Sequence, residues 1–453
     1  MVKLYTKLLV SAFALCMSVA VSAQQAREDF RKDINLSASG YKAYPGPQKA
    51  LTPAPAGYTP YYISHYGRHG SRYLIRPADY DKPYMTLRKL ADAGMLTEKG
   101  LEVFDKVGQI REEARGREGE LTQLGAEQHR GIAKRMFERF PEVFKGKTNI
   151  DAKSTIVIRC ILSMENALLQ FTSMNPELII KHDASHHDMY YMSQTDSVLK
   201  ILKKQGTDTQ EFKDFSDKHR GGIRVVDLLV KDGEFLKENK ISRHRLVKQL
   251  FDLASNIQST ELRHKFSMYD LFNEDEVYDF WAGSNAWWYV NYGSSPLSGG
   301  VQGYSQRNLV RKIISEADSC LALPHPGATL RYGHDTMVMP LVCLLNINDY
   351  GKQMPLEDLD KNGWLNYRIF PMACNVQFIF YHKNDQDKDV IFKILHNEDE
   401  ALIPDLKPVQ GCYYKWCDFK EFFLKKINDY EKKEYPPQPP KGELIIYLLS
   451  LWI

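Results

Sequence analysis

Cysteine is scarce in this chain, seven residues in 453, and no CxxC pair or Cys/His spacing suited to zinc occurs among them, which excludes a zinc ribbon or a thioredoxin-type redox site. Long apolar runs are also missing. The two that exist, Leu8 to about Ala20 and Leu444 to Ile453, both fall short of the ~20 residues that a membrane-spanning helix requires. An excess of one charge sign is absent as well: the formal net charge is +3, too small to argue for nucleic acid.

The first apolar run explains part of that small charge. Lys3 and Lys7 precede it, and Val21-Ser22-Ala23 offers small residues for cleavage before Gln24, so residues 1–23 read as a secretory signal peptide and the protein as exported, periplasmic or secreted. Removing them takes away two lysines and no acids, leaving +1. Any attraction for anions must then come from a local pocket. Six cysteines remain, Cys160, Cys320, Cys343, Cys374, Cys412 and Cys417, an even number that permits disulfides in an exported protein. Cys412 and Cys417 could close a small loop, whereas Cys160 and Cys343 sit in apolar runs and read as buried thiols.

What is present is concentrated in Arg68-His69-Gly70-Ser71-Arg72-Tyr73-Leu74, after the extended run Tyr61 to Gly67. Two guanidiniums on one tight turn repel each other and are best stabilised by a multiply charged planar or tetrahedral anion, phosphate above all. Gly70 allows a sharp turn and close backbone approach to such an anion. The histidine between them has a ring nitrogen free to attack phosphorus, which makes His69 the candidate nucleophile.

Further along, the segment from Gln24 to about Tyr58 reads as an irregular arm, residues 84–116 show helical spacing, and Leu121 to Phe137 opens another helix stopped by Pro141. Ser154 to Arg159 reads as a second strand ending on an arginine and followed by a helix from Ser163 to Met174. A third unit runs from Ala328 to Asp335 into an apolar helix. Three strand–helix units with polar residues at the strand ends fit an open, mainly parallel α/β sheet flanked by helices, whose ligands bind outside the carboxyl ends of the strands. Asn375 to Tyr381 and Val390 to Leu395 read as a hairpin. Between about 185 and 320 the pattern is mainly helical, so the expected organisation is an α/β domain built from 24–184 and 321–435, a helical insert over 185–320, and a proline-rich break with an apolar tail over 436–453.

These motifs resemble the histidine acid phosphatases of the histidine phosphatase superfamily, the group that includes phytases and multiple inositol polyphosphate phosphatases. RHGSRY carries the resemblance first; Arg159-Cys160-Ile161-Leu162-Ser163-Met164 is similar to the segment that supplies the family's third phosphate-binding arginine, and His334-Asp335 matches its late histidine–acid pair. The resemblance covers about residues 58 to 404. It implies that Arg68, Arg72, Arg159 and His334 clamp a phosphate, that His69 attacks it, and that Asp335 protonates the departing alcohol. It implies no metal and no cofactor, since three guanidiniums serve the equatorial oxygens. The carboxyl beside a phosphate dianion is expected to have a raised pKa. Inositol polyphosphate phosphatases typically carry His-Ala-Glu where this chain has His334-Asp335-Thr336, so the acid stands one position earlier, as in other phytases and acid phosphatases.

The implied activity is hydrolysis of phosphate monoesters, with inositol polyphosphates such as phytate first and sugar phosphates or nucleotides as the alternative; the implied partner is a small phosphate ester, with no nucleic acid, no integral membrane span and an open oligomeric state. A cytoplasmic mutase is disfavoured by the signal peptide, and a non-catalytic binder needs neither His69 nor Asp335. Other features read as structural. His182 to Asp188 is expected to be a solvated loop, His129-Arg130-Gly131 and Arg243-His244-Arg245 surface, Trp281, Trp287 and Trp288 core, and Lys203, Lys204, Arg243 and Arg245 solvated helix faces.

Overall fold

The computed structural model describes residues 25–384 and 389–433; the expected signal peptide, most of the turn between the hairpin strands and the proline-rich tail lie outside the described residues. The sheet has eight strands: β1 Thr59–Arg68, β2 Asn149–Ser154, β3 Ile179–Asp183, β4 Gly327–Gly333, β5 Asn375–His382, β6 Ile391–His396, β7 Asp399–Ala401 and β8 Tyr413–Lys415. Their order is β3-β2-β4-β1-β5-β6-β7, with β8 also on β6. Pairs among β3, β2, β4 and β1 are parallel, and every pair from β1·β5 onward is antiparallel. The expected α/β class and the hairpin of β5 and β6 are therefore found, with the sheet mixed beyond β1.

Alternation along the strands puts helices on both faces. Tyr62, Tyr66, Val376, Phe378 and Phe380 face one layer, which includes the helices Asp335–Leu344 and Trp416–Glu431. Ile63, Ile150, Leu330, Tyr332 and Ile379 face the other, under the helices Gln123–Arg139 and Ile158–Met174. Each such fully buried side chain contributes about 1.5–3 kcal/mol. A separate core joins Leu87, Leu90, Val103 and Val107 of the two helices after β1 to Val225, Leu250, Phe251 and Trp281. Between β3 and β4 the described residues form helices joined by short connections, with no strand of the sheet. No helix among the described residues is long and apolar enough to cross a membrane.

Several expectations are corrected. The arm after Gln24 contains a helix, Gln25–Lys32, and a 3-10 segment, Ile34–Tyr41; Ala26 and Phe30 are buried, and Phe30 packs edge-on to Trp281 at 5.3 Å. The second strand ends at Ser154, since register with β4 pairs Ser154 to Tyr332, and Arg159 stands in the first turn of a helix instead. The six cysteines of the described residues are free. Cys412 is buried facing Thr52, while Cys417 is exposed on the following helix and donates to Asp418, so no small loop is closed. Cys160 and Cys343 are buried thiols, as expected. Trp281 is core, but Trp287 is 42% exposed.

Candidate active site

Strand register assembles the site. β1 and β4 are neighbours and parallel, with Arg68 opposite Gly333, so His69 and His334-Asp335 leave the sheet at the same level. His69 N–H donates to the Gly333 carbonyl at 2.9 Å, and the two imidazoles meet edge to face at 5.8 Å. β2 ends one residue short on the far side of β4, where Thr155 N–H donates to the Tyr332 carbonyl and Thr155 Oγ1 lies 3.2 Å from His334 Nε2. Arg159 reaches the same place from the helix Ile158–Met174. Its neighbour Ser163 ties the two motifs together: Oγ accepts from Gly70 N–H at 3.1 Å and donates to the Arg159 carbonyl at 2.8 Å.

Gly70 has a role other than the one read from the sequence. A Cβ there would stand 2.4 Å from the Gly125 carbonyl oxygen and 2.6 Å from Gly125 Cα, distances that no side chain tolerates. The motif turn packs on the first turn of the helix Gln123–Arg139, and Gln128 on that helix accepts from Ser71 N–H at 2.8 Å and donates to Ser71 Oγ at 3.0 Å. The glycine is needed for this backbone contact.

Arg68 is the most confined of the cations, 1% exposed. Its Nη1 donates to the carbonyls of Gly40 at 2.6 Å and Phe370 at 2.9 Å, and its Nη2 pairs with Asp335 Oδ2 at 2.6 Å. Arg72 Nη1 donates to the Tyr73 carbonyl, and its guanidinium lies 5.5 Å from the ring centroid of Tyr41. Arg159 Nη1 reaches the Gly119 carbonyl at 3.4 Å. The Nε of all three is buried with no acceptor. Among the described residues neither Arg72 nor Arg159 is in an ion pair, so three guanidiniums share one carboxylate, a strongly electropositive pocket.

The titrating groups respond to that field. His69 is pushed well below 6.5 by burial first and then by Arg68, Arg72, Arg159 and His334, so its ring is neutral. Its Nδ1 lies 2.9 Å from the Gly70 carbonyl. A carbonyl only accepts, so Nδ1 carries the proton and the Nε2 lone pair is left free. His334 falls to about 4, mainly by burial, with Asp335 opposing. Burial raises Asp335, yet Arg68, Arg72 and His334 together outweigh it and hold the carboxyl below 3.8. The expected raised pKa is thus not present in this state, because Arg68 is the partner of the carboxylate.

All six residues singled out in the sequence, Arg68, His69, Arg72, Arg159, His334 and Asp335, are brought to one pocket. Sequence reasoning missed the carbonyls of Gly40 and Phe370, the hydroxyls of Thr155 and Ser163, and His129. His129 is 1% exposed and bonds to the backbone of Arg68, correcting its surface reading. Its position was legible, since Ala126, His129, Ala133 and Met136 share one helical face. The segment His182 to Asp188 spreads its groups apart: His182 Nδ1 meets Glu165 at 2.7 Å, and Asp188 pairs with Lys153 at 3.0 Å. No group of three or more His, Cys, Asp or Glu side chains among the described residues is placed to hold a metal ion.

Comparison with known proteins places this geometry. A search of curated protein sequences returns no match. Among solved structures, the chain is similar to a Bifidobacterium longum multiple inositol polyphosphate phosphatase in complex with inositol hexasulfate, at 19% identity over 85% of this chain and 97% of that one, with a TM-score of 0.69. The phosphate complex of the same enzyme gives 18% identity, 86% and 98% coverage and a TM-score of 0.70. A phytase from D. castellii gives 14% identity over 90% and 92% of the two chains, with a TM-score of 0.63. At such identities the structures speak to the fold. Lineage follows from residues 67–397, most of the chain, which match the histidine phosphatase superfamily (branch 2) as a whole, and the chain belongs to that family.

Proposed function

We propose that the protein is an exported phosphomonoesterase that hydrolyses phosphate monoesters, inositol polyphosphates foremost, through a phosphohistidine. Family membership and fold support a phosphatase. The observation that carries the mechanism is the convergence of three guanidiniums, each with a buried unpaired Nε, on a neutral histidine whose Nδ1 is tied to a carbonyl.

In this reading the phosphate enters between Arg68, Arg72, Arg159 and His334, which take its non-bridging oxygens. His69 Nε2 attacks phosphorus in line as the bond to the alcohol oxygen breaks, and Asp335 gives its proton to that oxygen. Asp335 must be protonated to do so. A phosphate dianion draws Arg68 to itself and repels the carboxylate, both of which raise Asp335 from the low value it has beside Arg68. Asp335, now ionised, takes a proton from water as the water oxygen attacks phosphorus and the Nε2–phosphorus bond breaks. Fixed guanidiniums stabilise the charge that spreads onto the equatorial oxygens, the largest contribution expected in such a site. The substrate class is proposed from the inositol hexasulfate and phytase neighbours and from the electropositive pocket, and export from the sequence of residues 1–23.

The experiment is to quench turnover of a labelled phosphate ester and look for an acid-labile, base-stable phosphoenzyme at His69, beside a panel of inositol phosphates, sugar phosphates and nucleotides. Phosphoenzyme is expected in the wild type and none in His69→Ala. A His69→Ala protein that retains full activity would sink the mechanism.

A further inference from the structure

The dipeptide Arg68-His69 is gripped by backbone from far along the chain. Arg68 N–H donates to the Cys374 carbonyl at 2.8 Å, and the His69 carbonyl accepts from Ala373 N–H at 3.0 Å. Arg68 Nη1 is shared by the carbonyls of Gly40 and Phe370. Met372 N–H donates to the Lys42 carbonyl at 2.8 Å, which joins the two segments that supply those carbonyls. Each segment carries a strained residue beside its contact with the dipeptide. Ser39 stands at φ 57°, ψ −130° and Ala373 at φ 55°, in a half of backbone space that residues other than glycine seldom enter and keep only where their surroundings hold them there. The segments meet closely: a Cβ on Gly40 would stand 3.1 Å from Phe370 Cε2.

One side chain governs both carbonyls. Asn366 is 0% exposed, and each of its polar atoms is bonded. Its Oδ1 accepts from the Trp281 indole Nε1–H at 3.0 Å. An indole only donates, so the amide edge turned to Ser39 is Nδ2, which donates to Ser39 Oγ at 2.6 Å. Ser39 Oγ also lies 3.0 Å from Ser284 Oγ. On the backbone, Asn366 N–H donates to Asn285 Oδ1 at 2.9 Å, and the Asn366 carbonyl accepts from Phe370 N–H at 3.0 Å. Asn366 therefore fixes the residue before Gly40 through its side chain and Phe370 through its main chain. Trp281, Ser284 and Asn285 all belong to the helix Glu274–Tyr292, so the seat of Arg68 is anchored to the helical layer. Apolar side chains would fill this space without the cost of burying polar groups. The polar version adds direction, because its hydrogen bonds set where the two carbonyls point.

We propose that Asn366 is a positioning residue for phosphoryl transfer: by fixing the Gly40 and Phe370 carbonyls it sets the Arg68 guanidinium in the orientation that serves phosphate. This rests on the reading of the His69 pocket as a phosphomonoesterase site. Nη2 of Arg68 already pairs with Asp335 at 2.6 Å. Without the carbonyls on Nη1, the guanidinium is free to turn both of its amino groups onto that carboxylate and away from the substrate. A misplacement of about 1 Å in a site of this kind costs about a hundredfold in rate.

The test is a pair of double-mutant cycles. Asn366→Ala and Ser39→Gly are each made in the wild type and in Arg68→Met. Every member is assayed for kcat/KM with p-nitrophenyl phosphate and, by calorimetry, for the dissociation constant of inorganic phosphate. Ser39→Gly removes the hydroxyl at a backbone angle that suits glycine, so it decides the matter even where Asn366→Ala does not fold. With Arg68 present, each substitution should lower kcat/KM by about tenfold or more and weaken phosphate binding. In Arg68→Met the same substitutions should change either quantity less than about twofold, because the group they position is gone. Equal losses in the two backgrounds would mark a merely structural network and overturn the proposal, as would wild-type kcat/KM and phosphate binding in Ser39→Gly. Either result leaves the phosphatase reading intact. A wild type that turns over no phosphate ester overturns the reading of the His69 pocket, and the proposal falls with it.

Discussion

Replacing Asp335 by asparagine separates two effects of that carboxyl, and they run in opposite directions. The carboxylate holds one edge of the Arg68 guanidinium through a 2.6 Å ion pair and places a negative charge where the substrate's own negative charge must sit. Asparagine keeps an acceptor for Thr336 N–H, which now donates to Asp335 Oδ1 at 2.8 Å, and removes the charge. Arg68 remains anchored by the carbonyls of Gly40 and Phe370 and is freed to give a charged hydrogen bond to phosphate. Such a bond contributes about 1.5–3 kcal/mol, so affinity for inorganic phosphate should tighten by about tenfold or more. Turnover moves the other way. Without a proton donor, esters of alkyl alcohols, inositol phosphates included, should slow by about 10²–10⁴-fold, whereas an aryl oxide departs unaided and p-nitrophenyl phosphate should suffer at least about tenfold less. Calorimetry with phosphate and kcat on the two ester classes are the measurements. In the wild type, activity on alkyl esters should also decline as pH rises through the pKa of Asp335 in the substrate complex. Equal losses on both ester classes, or weaker phosphate binding, would refute the assignment of Asp335 as the acid.

Two other outcomes are expected. Chelators should leave phosphate-ester turnover unchanged, because in the proposed mechanism Arg68, Arg72 and Arg159 meet the equatorial charge; activity lost in chelator and restored by zinc or magnesium would contradict this. Stability should fall in acid through His65 and His129, both buried and both at about 3 against 6.5 in an unfolded chain, burial being the main cause. Each stays neutral in the fold while the unfolded chain takes up a proton, so its contribution is complete above pH 6.5 and is lost on descending toward pH 3, at about 1.4 kcal/mol per pH unit for each. Urea unfolding at pH 7 and pH 4.5 should show the slope, and an unfolding free energy that is flat across that range would count against it.

The residues of the site were legible because they cluster in short motifs whose charge has only one economical use. Their neighbours were not, for reasons that differ by place. Ile156, Val157 and Ile158 are β-branched and read as strand, yet Ile156 and Val157 form a bend and Ile158 opens the helix Ile158–Met174, where it is 68% exposed; pairing with β4 ends the strand earlier, and pairing is a long-range fact. His129 was misread because its charged neighbours Arg130 and Arg135 suggested a surface, although its helical phase marked it as buried. The helix Gln25–Lys32 hid behind a strongly polar composition; contacts far along the chain hold it in place, among them Ala26 N–H to Asp360, Phe30 against Trp281 and Tyr367, and Arg27 with Asp275. The polarity of Asp335 was set by which cation it touches, and one sequence does not reveal that.

The two carbonyls that seat Arg68 come from Gly40 and Phe370, 28 and 302 residues away along the chain. The proposed phosphate clamp therefore cannot form before the distant carbonyl is made. A nascent polypeptide that already contains the whole RHGSRY turn still lacks Asp335 and the far carbonyl, and closing a loop of that length is among the slower steps of folding. The proposed site is complete only when the chain is, because its parts come from both ends of the fold. If the chain is exported unfolded, as proposed from residues 1–23, this order leaves the proposed phosphate pocket unassembled until the chain has crossed the membrane.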